Sequence, residues 1–286
     1  ISTGVGCKGE DAAGVIGGID FLRKVVRNEE IELGEKVAIV GGGNTAMDAC
    51  RTAVRLGAKE VYNIYRRTKD EMPADMVEIE EAEEEGVIFK NLTNPLEVVK
   101  DENGHVKEVV LQVMELGETD ESGRRRPIPV EGKTETIAID TMILAIGQAV
   151  DASIFECDKT RKNAIAYDKE TFMTSIPGVF AGGDCASGPA TVIKAIAAAK
   201  VVAANIDEYL GYHHEISCDV EIPKASLHDR VPCGRAELTE REACERVCDF
   251  EGVENCMTEK EAKQEACRCL RCDHFGYGIF KGGREK

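Results

Sequence analysis

Apolar positions in the first part of the chain alternate between two periods. From Gly14 to Arg27, residues Ile16, Ile19, Phe21, Leu22 and Val25 fall at helical spacing, which predicts a short amphipathic helix. Val37-Ala38-Ile39-Val40 is an unbroken apolar run, the pattern of a parallel strand covered on both faces. Gly41-Gly42-Gly43 breaks it, Asn44 to Leu56 read as helix, and Gly57 supplies the stop. Val61 to Tyr65 is a second strand. Strand, glycine turn, helix and strand occupy about thirty residues, the size of one βαβ unit.

The pattern then changes. After an acid run from Glu78 to Glu85, read as a solvated helix face, come Val87-Ile88-Phe89 and two extended stretches, Leu96 to Val99 and Val106 to Met114. They flank Asp101-Glu102-Asn103-Gly104, a hairpin turn in which glycine can take positive φ. A third extended piece follows the turn Arg124-Arg125-Arg126-Pro127, giving an antiparallel meander inserted in a parallel fold. Thr141 to Gly147 returns as a buried strand. Strand, turn and helix then recur once, as Gly178 to Ala181, Gly182-Gly183-Asp184 and Ala190 to Leu210. Beyond Glu221 two capping boxes, Thr239 with Glu242 and Thr258 with Glu261, each predict a short polar helix.

The expected class is therefore α/β. A Rossmann-like parallel-sheet domain carrying the meander spans 35–147, residues 1–34 link into it, 148–220 repeat the pattern in part, and 221–286 form a small Cys-rich helical tail.

Charge and cysteines narrow the function. Lys and Arg total 36 against 53 Asp and Glu, a net charge of −17, which disfavours nucleic acid and anionic membranes as partners. No apolar run has membrane-spanning length. Twelve cysteines in a long chain without a secretory pattern point to a reducing, cytoplasmic setting. His213-His214 read as surface histidines, since no cysteine or carboxylate pattern completes a site around them.

Gly41-Gly42-Gly43-Asn44-Thr45-Ala46 fits the dinucleotide pattern G-x-G-x-x-G/A. Gly41 permits the tight turn, Gly43 lets backbone approach a pyrophosphate, and Ala46 lets the helix pack close to the strand. The helix that begins there aims unpaired N–H groups at the phosphates. NAD-selective sites place an acid at the end of the second strand, whereas this chain has Arg66 and Arg67, suited to a 2′-phosphate. NADP(H) is expected over NAD(H). The alternative is a pair of surface arginines balancing the acidic helix.

Val37 to Ala46, Tyr65-Arg66-Arg67, Glu71-Met72-Pro73-Ala74, Leu92-Thr93-Asn94-Pro95, Met114-Glu115-Leu116-Gly117, Ala145-Ile146-Gly147-Gln148 and Gly178 to Asp184 share one order and spacing. As a set they resemble the small (beta) subunit of NADPH-dependent glutamate synthase and related FAD- and NAD(P)-dependent electron-input subunits, over most of residues 10 to 215. The resemblance implies two interleaved dinucleotide folds, one for NADPH and one for FAD. Residues 1–34 would then be a remnant of the FAD-binding domain and 148–220 its C-terminal part. It also implies that Ala145, Ile146 and Gly147 border the coenzyme, that Gly183 and Asp184 meet the flavin ribityl chain, and that backbone N–H groups at Ala190, Thr191 and Val192 face the flavin. On local residues alone Asp184 could equally be a capping acid. The implied reaction is hydride transfer from NADPH to FAD and then single electrons to iron–sulfur centres, which needs no acid–base residue.

The family's FAD-binding glycine pattern and its iron–sulfur segment have no counterpart here. Gly4, Gly6 and Gly9 follow no strand and are discounted, and Ile1 stands first where Met is usual. The chain is expected to begin where the FAD fold passes into the NADPH fold. No Cys-x-x-Cys or Cys-x4-Cys pair lies on the flavin side, which disfavours a dithiol reductase.

Six cysteines lie between Cys244 and Cys272. Cys267, Cys269 and Cys272 in Cys-Arg-Cys-Leu-Arg-Cys could share a cluster such as [4Fe-4S], with Cys244, Cys248 or Cys256 as fourth ligand, or could be unligated thiols. The expected partner is a redox subunit: a glutamate synthase large subunit, a ferredoxin or a hydrogenase-type protein. Two other readings stay open, a nucleotide-binding module without catalysis of its own and a scaffold whose cysteine tail binds a partner.

Overall fold

Val37 and Ile39 point to one face of a strand and Ala38 and Val40 to the other, and each pair enters a different hydrophobic core. That strand is the middle one of its five-stranded sheet. The computed structural model describes residues 1–119, 123–214 and 233–268, in two compact units, Ile1–Glu215 and Ile216–Lys286.

In the first unit, strands β1 (Val15–Gly17), β2 (Lys36–Val40), β3 (Glu60–Tyr65) and β4 (Ile88–Asn91) are joined by β8 (Thr141–Leu144) in a parallel sheet. The order is β1-β8-β2-β3-β4, so the last strand in sequence inserts between the first two. Asp140 fixes the register: its carboxylate accepts from the N–H groups of Glu35 (2.7 Å) and Lys36 (2.8 Å).

Helices α1 (Gly18–Val26), α2 (Asn44–Arg55) and α3 (Met76–Glu84) cover one face of the sheet, with Phe21, Met47, Ile79 and Ile143 in their core. A three-stranded antiparallel sheet, β5 (Thr93–Lys100), β6 (Val106–Thr119) and β7 (Arg125–Ala138), covers the other through Val98, Val109 and Leu111. Each fully buried side chain of this size contributes about 1.5–3 kcal/mol. The βαβ unit and the meander thus stand where the periodicity placed them, and the hairpin turn closes as expected on Gly104 at φ 82°. Strand β7 begins earlier than expected, since Arg125 already pairs with Thr119.

Four expectations need correction. Val15–Gly17 is strand rather than the start of a helix, because Met142–Leu144, over a hundred residues away, supplies a pairing partner. The acid run is not simply solvated. Glu81 and Glu85 are buried, and Arg51 of α2 bonds or pairs with Glu78, Glu81 and Glu85 while Arg55 also holds Glu85. Burial works against the charge on Arg51, but these carboxylates more than offset it and hold its pKa above the ordinary value. Arg51 and Arg55, with Lys69 on Glu83, balance the acidic helix.

Third, Gly178 to Ala181 forms no strand. Phe180 makes a single bridge to Met173, and no other strand of the described residues lies beside it. A short α4 (Asp184–Ser187) and a long α5 (Val192–Tyr209) follow, and α5 buries none of its residues. A small third core, including Ala152, Cys157 and Ile165, holds this region together.

In the second unit the described helices are α6 (Ala243–Arg246) and α7 (Glu259–Arg268). Thr258 and Glu261 form the expected capping box on α7. Thr239 does not cap α6, the fourth correction. Its hydroxyl accepts from the Asn255 side chain (3.0 Å), and Glu242 itself occupies the N-cap position.

Candidate functional site

A cavity of about 510 Å³ opens at the carboxyl ends of β2, β3 and β8, at the glycine turn. Gly41 leaves β2 at φ 147° and donates its N–H to the Ile64 carbonyl (3.0 Å). A Cβ added there would lie 2.3 Å from the Ala145 carbonyl oxygen, and one at Gly42 would lie 2.5 Å from the Tyr65 ring. These two glycines are bare because the protein's own backbone and side chains crowd them. Gly43 differs: the nearest atom to an added Cβ is Pro73 Cγ, at 3.9 Å. No protein atom requires glycine at 43. The space it leaves opens to the cavity.

Gly43 is also the N-cap residue of α2 and has no side chain to cap it, so the helix presents its first-turn N–H groups. Thr45 lines the cavity, and Ala46 is fully buried beneath it. Asn44 turns outward, where its Oδ1 accepts from the Asp75 N–H (2.9 Å). Together with the Ala74 N–H to Gly42 carbonyl bond (3.1 Å), this folds the segment after β3 against the turn.

Asn63 went unrecognised in the sequence. It is fully buried in β3, donates Nδ2 to the Gly41 carbonyl (2.9 Å), and leaves its Oδ1 without a hydrogen-bond partner. A polar residue inside an otherwise apolar strand was the available signal. Beside it, burial pushes the Cys50 thiol up to about 12 despite a hydrogen bond from Asn63, so Cys50 is no nucleophile.

The two arginines after β3 have separate roles. Both line the cavity, but Arg66 is exposed whereas Arg67 is only 5% exposed and donates Nε to the Arg125 carbonyl (2.6 Å). Arg67 therefore fastens β7 to the site. Arg125 in turn lies 3.5 Å from Glu71, whose carboxyl the Thr68 hydroxyl and then Arg125 hold below the usual range. Arg124 also lines the cavity, a residue that sequence reasoning assigned only to a turn.

Ala145, Ile146 and Gly147 form the opposite wall. Ala145 donates to the Val40 carbonyl (2.8 Å), and the Gly147 carbonyl accepts from Thr3 (3.1 Å), bringing residues 1–5 to the rim. Gly183, Asp184, Ala190, Thr191 and Val192 lie outside this cavity. Asp184, the first residue of α4, accepts from the Ala190 N–H (3.3 Å) in the loop before α5, and Thr191 caps α5 by accepting from Lys194 (3.4 Å).

Among the described residues no group of three or more His, Cys, Asp or Glu is placed to hold a metal ion. Cys244, Cys248, Cys256 and Cys267 are all exposed, while Cys269 and Cys272 lie outside the described residues. His214 is exposed and pairs with Asp207 (2.7 Å).

The family described as pyridine nucleotide-disulphide oxidoreductase matches residues 2–199. The beta subunit of NADP(+)-dependent formate dehydrogenase from Moorella thermoacetica is 41% identical, over 99% of this chain and 42% of its own length. The small chain of glutamate synthase [NADPH] from Escherichia coli is 35% identical, over 72% of this chain and 47% of its own. The chain thus spans less than half of either relative. The structure of Mycobacterium tuberculosis FprA in complex with NADPH shares the fold at a TM-score of 0.59 and 20% identity, covering 73% of this chain and 61% of that one.

Proposed function

The chain belongs to the pyridine nucleotide-disulphide oxidoreductase family, and from that premise we propose that it is the NADP(H)-binding portion, with part of the FAD-binding portion, of a flavoprotein electron-input subunit. One observation carries the reading: Gly43 is bare toward open cavity rather than toward protein, at the start of a helix with no side-chain cap. A bare backbone with unpaired N–H groups is what a diphosphate needs. Arg66, exposed on the same cavity, would hold the 2′-phosphate that distinguishes NADPH from NADH.

The wall at Ala145, Ile146 and Gly147 would shield the coenzyme from water, and the turn at Gly183 and Asp184 with the start of α5 would meet the flavin. A flavin supplies two-electron acceptance and one-electron release when bound. The protein's contribution is positioning, since hydride transfer between the two cofactors is their own chemistry. Relatives named as subunits support a redox partner subunit. We place the protein in the cytoplasm, and no helix of the described residues is long and apolar enough to cross a membrane.

Titration with NADPH and NADH, followed by assay of electron transfer to an artificial dye acceptor with FAD added, tests both halves. We expect NADPH to bind more tightly than NADH, and dye reduction to depend on FAD. Failure to bind either coenzyme overturns the whole reading. Binding without dye reduction leaves the second reading, a nucleotide-binding module, which the unburied α5 favours.

A further inference from the structure

We propose that Asn63 is the positioning residue of the coenzyme's diphosphate subsite: it holds the Gly41 carbonyl inside the sheet, so that the next N–H, that of Gly42, faces the cavity. This role rests on the coenzyme-binding reading above.

A diphosphate accepts hydrogen bonds and donates none, so the peptides of the turn must offer it N–H rather than C=O. In a trans peptide the two groups point in opposite directions, and fixing a carbonyl fixes the N–H of the following residue. The turn fixes three carbonyls in succession. That of Gly43 accepts from the N–H groups of Ala46 (2.8 Å) and Met47 (3.2 Å), and that of Gly42 accepts from the Ala74 N–H (3.1 Å). That of Gly41 accepts from Asn63 Nδ2 (2.9 Å). The N–H groups turned the other way belong to Asn44, Gly43 and Gly42. Among the described residues none of these three has an acceptor.

Two of the carbonyls are held by backbone, but Gly41 depends on a side chain. Asn63 is fully buried in β3 and does not line the cavity, whereas Gly41 and Gly42 do. Its bond therefore draws the Gly41 carbonyl away from the cavity. Glycine at φ 147° has the freedom to turn that peptide, so without the bond the carbonyl can swing outward and set an acceptor against the diphosphate oxygens. Packing alone does not call for an amide here. Asn63 Oδ1 is buried without a hydrogen-bond partner, and the other contact of Nδ2 is Cys50 Sγ at 3.8 Å, a weak acceptor. A leucine of similar size would leave no side-chain polar atom unsatisfied in this part of the core. The bond to Gly41 accounts for the amide.

Calorimetric titration of the whole chain with NADPH and with 2′-AMP isolates the subsite, because 2′-AMP carries no diphosphate. Asn63→Leu should weaken NADPH about tenfold, the worth of one charge-assisted hydrogen bond, and leave 2′-AMP unchanged. In the unaltered chain the Gly42 amide resonance should move downfield with NADPH and stay in place with 2′-AMP, which tests the same point without a variant. Undiminished NADPH affinity in Asn63→Leu overturns the inference alone. So does an equal loss for both ligands, which marks a structural role, and so does a Gly42 resonance unmoved at saturating NADPH. An unaltered chain that binds neither NADPH nor NADH overturns the coenzyme-binding reading and this inference with it.

Discussion

Two glycine turns in this chain share one sequence pattern and have different fates. Both follow a short apolar run and precede a helix. At Gly41-Gly42-Gly43 the run is β2, paired on both sides by β8 and β3, and α2 buries Ala46, Met47, Ala49, Cys50 and Ala53 against it. At Gly182-Gly183 the run has shrunk to one bridge at Phe180, and α5 leaves Val192 75% and Ile193 79% exposed. The first turn is held in shape by a sheet, and the second by local bonds, the Ala190 N–H to Asp184 and the Thr191 cap of α5. The contrast teaches that the same glycine pattern is built into a sheet only where strands from elsewhere in the chain pair beside it.

The contrast can be broken most severely at Arg51. Arg51→Ala leaves Glu81 and Glu85 buried with one cation fewer, and should cost about 3–5 kcal/mol in urea unfolding. The same cluster sets an acid limit. Two arginines hold Glu85 below its ordinary value of 4.5 despite burial. Its contribution is therefore complete above about pH 4.5 and is lost as the pH falls through the lower folded value. Glu85→Gln should lower stability at neutral pH and flatten that acid dependence; an unaltered acid slope would mean that other carboxylates set it.

Next in size is the difference between glycines. Gly41→Ala meets the Ala145 carbonyl and should lower stability by about 1–3 kcal/mol, with coenzyme binding lost in parallel. Gly43→Ala should cost less stability than Gly41→Ala, about 0.5–1 kcal/mol from the N-cap position, while weakening NADPH at least about tenfold, since its Cβ would enter the cavity. If Gly43→Ala melts as early as Gly41→Ala and binds normally, the assignment of that space to a ligand is wrong. The smallest effect belongs to the second turn. Ile193→Ala on exposed α5 should change stability by no more than about 0.5 kcal/mol, and a core-sized loss would show that the two turns are not so different.

The βαβ unit and the glycine turn were legible because each rests on local rules: an apolar run, a residue without a side chain, a helix stop. The place of Arg66, just past the end of β3, was legible for the same reason. The split between Arg66 and Arg67 was not, because what takes Arg67 inward is a carbonyl on β7, fifty-eight residues later. Asn63 could be seen as an odd polar residue, but its bond to Gly41 depends on the neighbouring strand. The acid run shows the reverse error: local sequence made it look solvated, and only α2 lying beside it turned Glu81 and Glu85 into buried partners.

The amino-acid sequence by itself determined where the chain turns bare and where it becomes helical, because backbone freedom and side-chain periodicity are properties of a few adjacent residues. Tertiary structure alone decided that β8 slides between β1 and β2, that Val15–Gly17 is a strand, and that Arg124 reaches the cavity. Strand pairing and ion pairing join residues with no fixed separation along the chain, so their outcome is settled only when all competing partners are present in space at once.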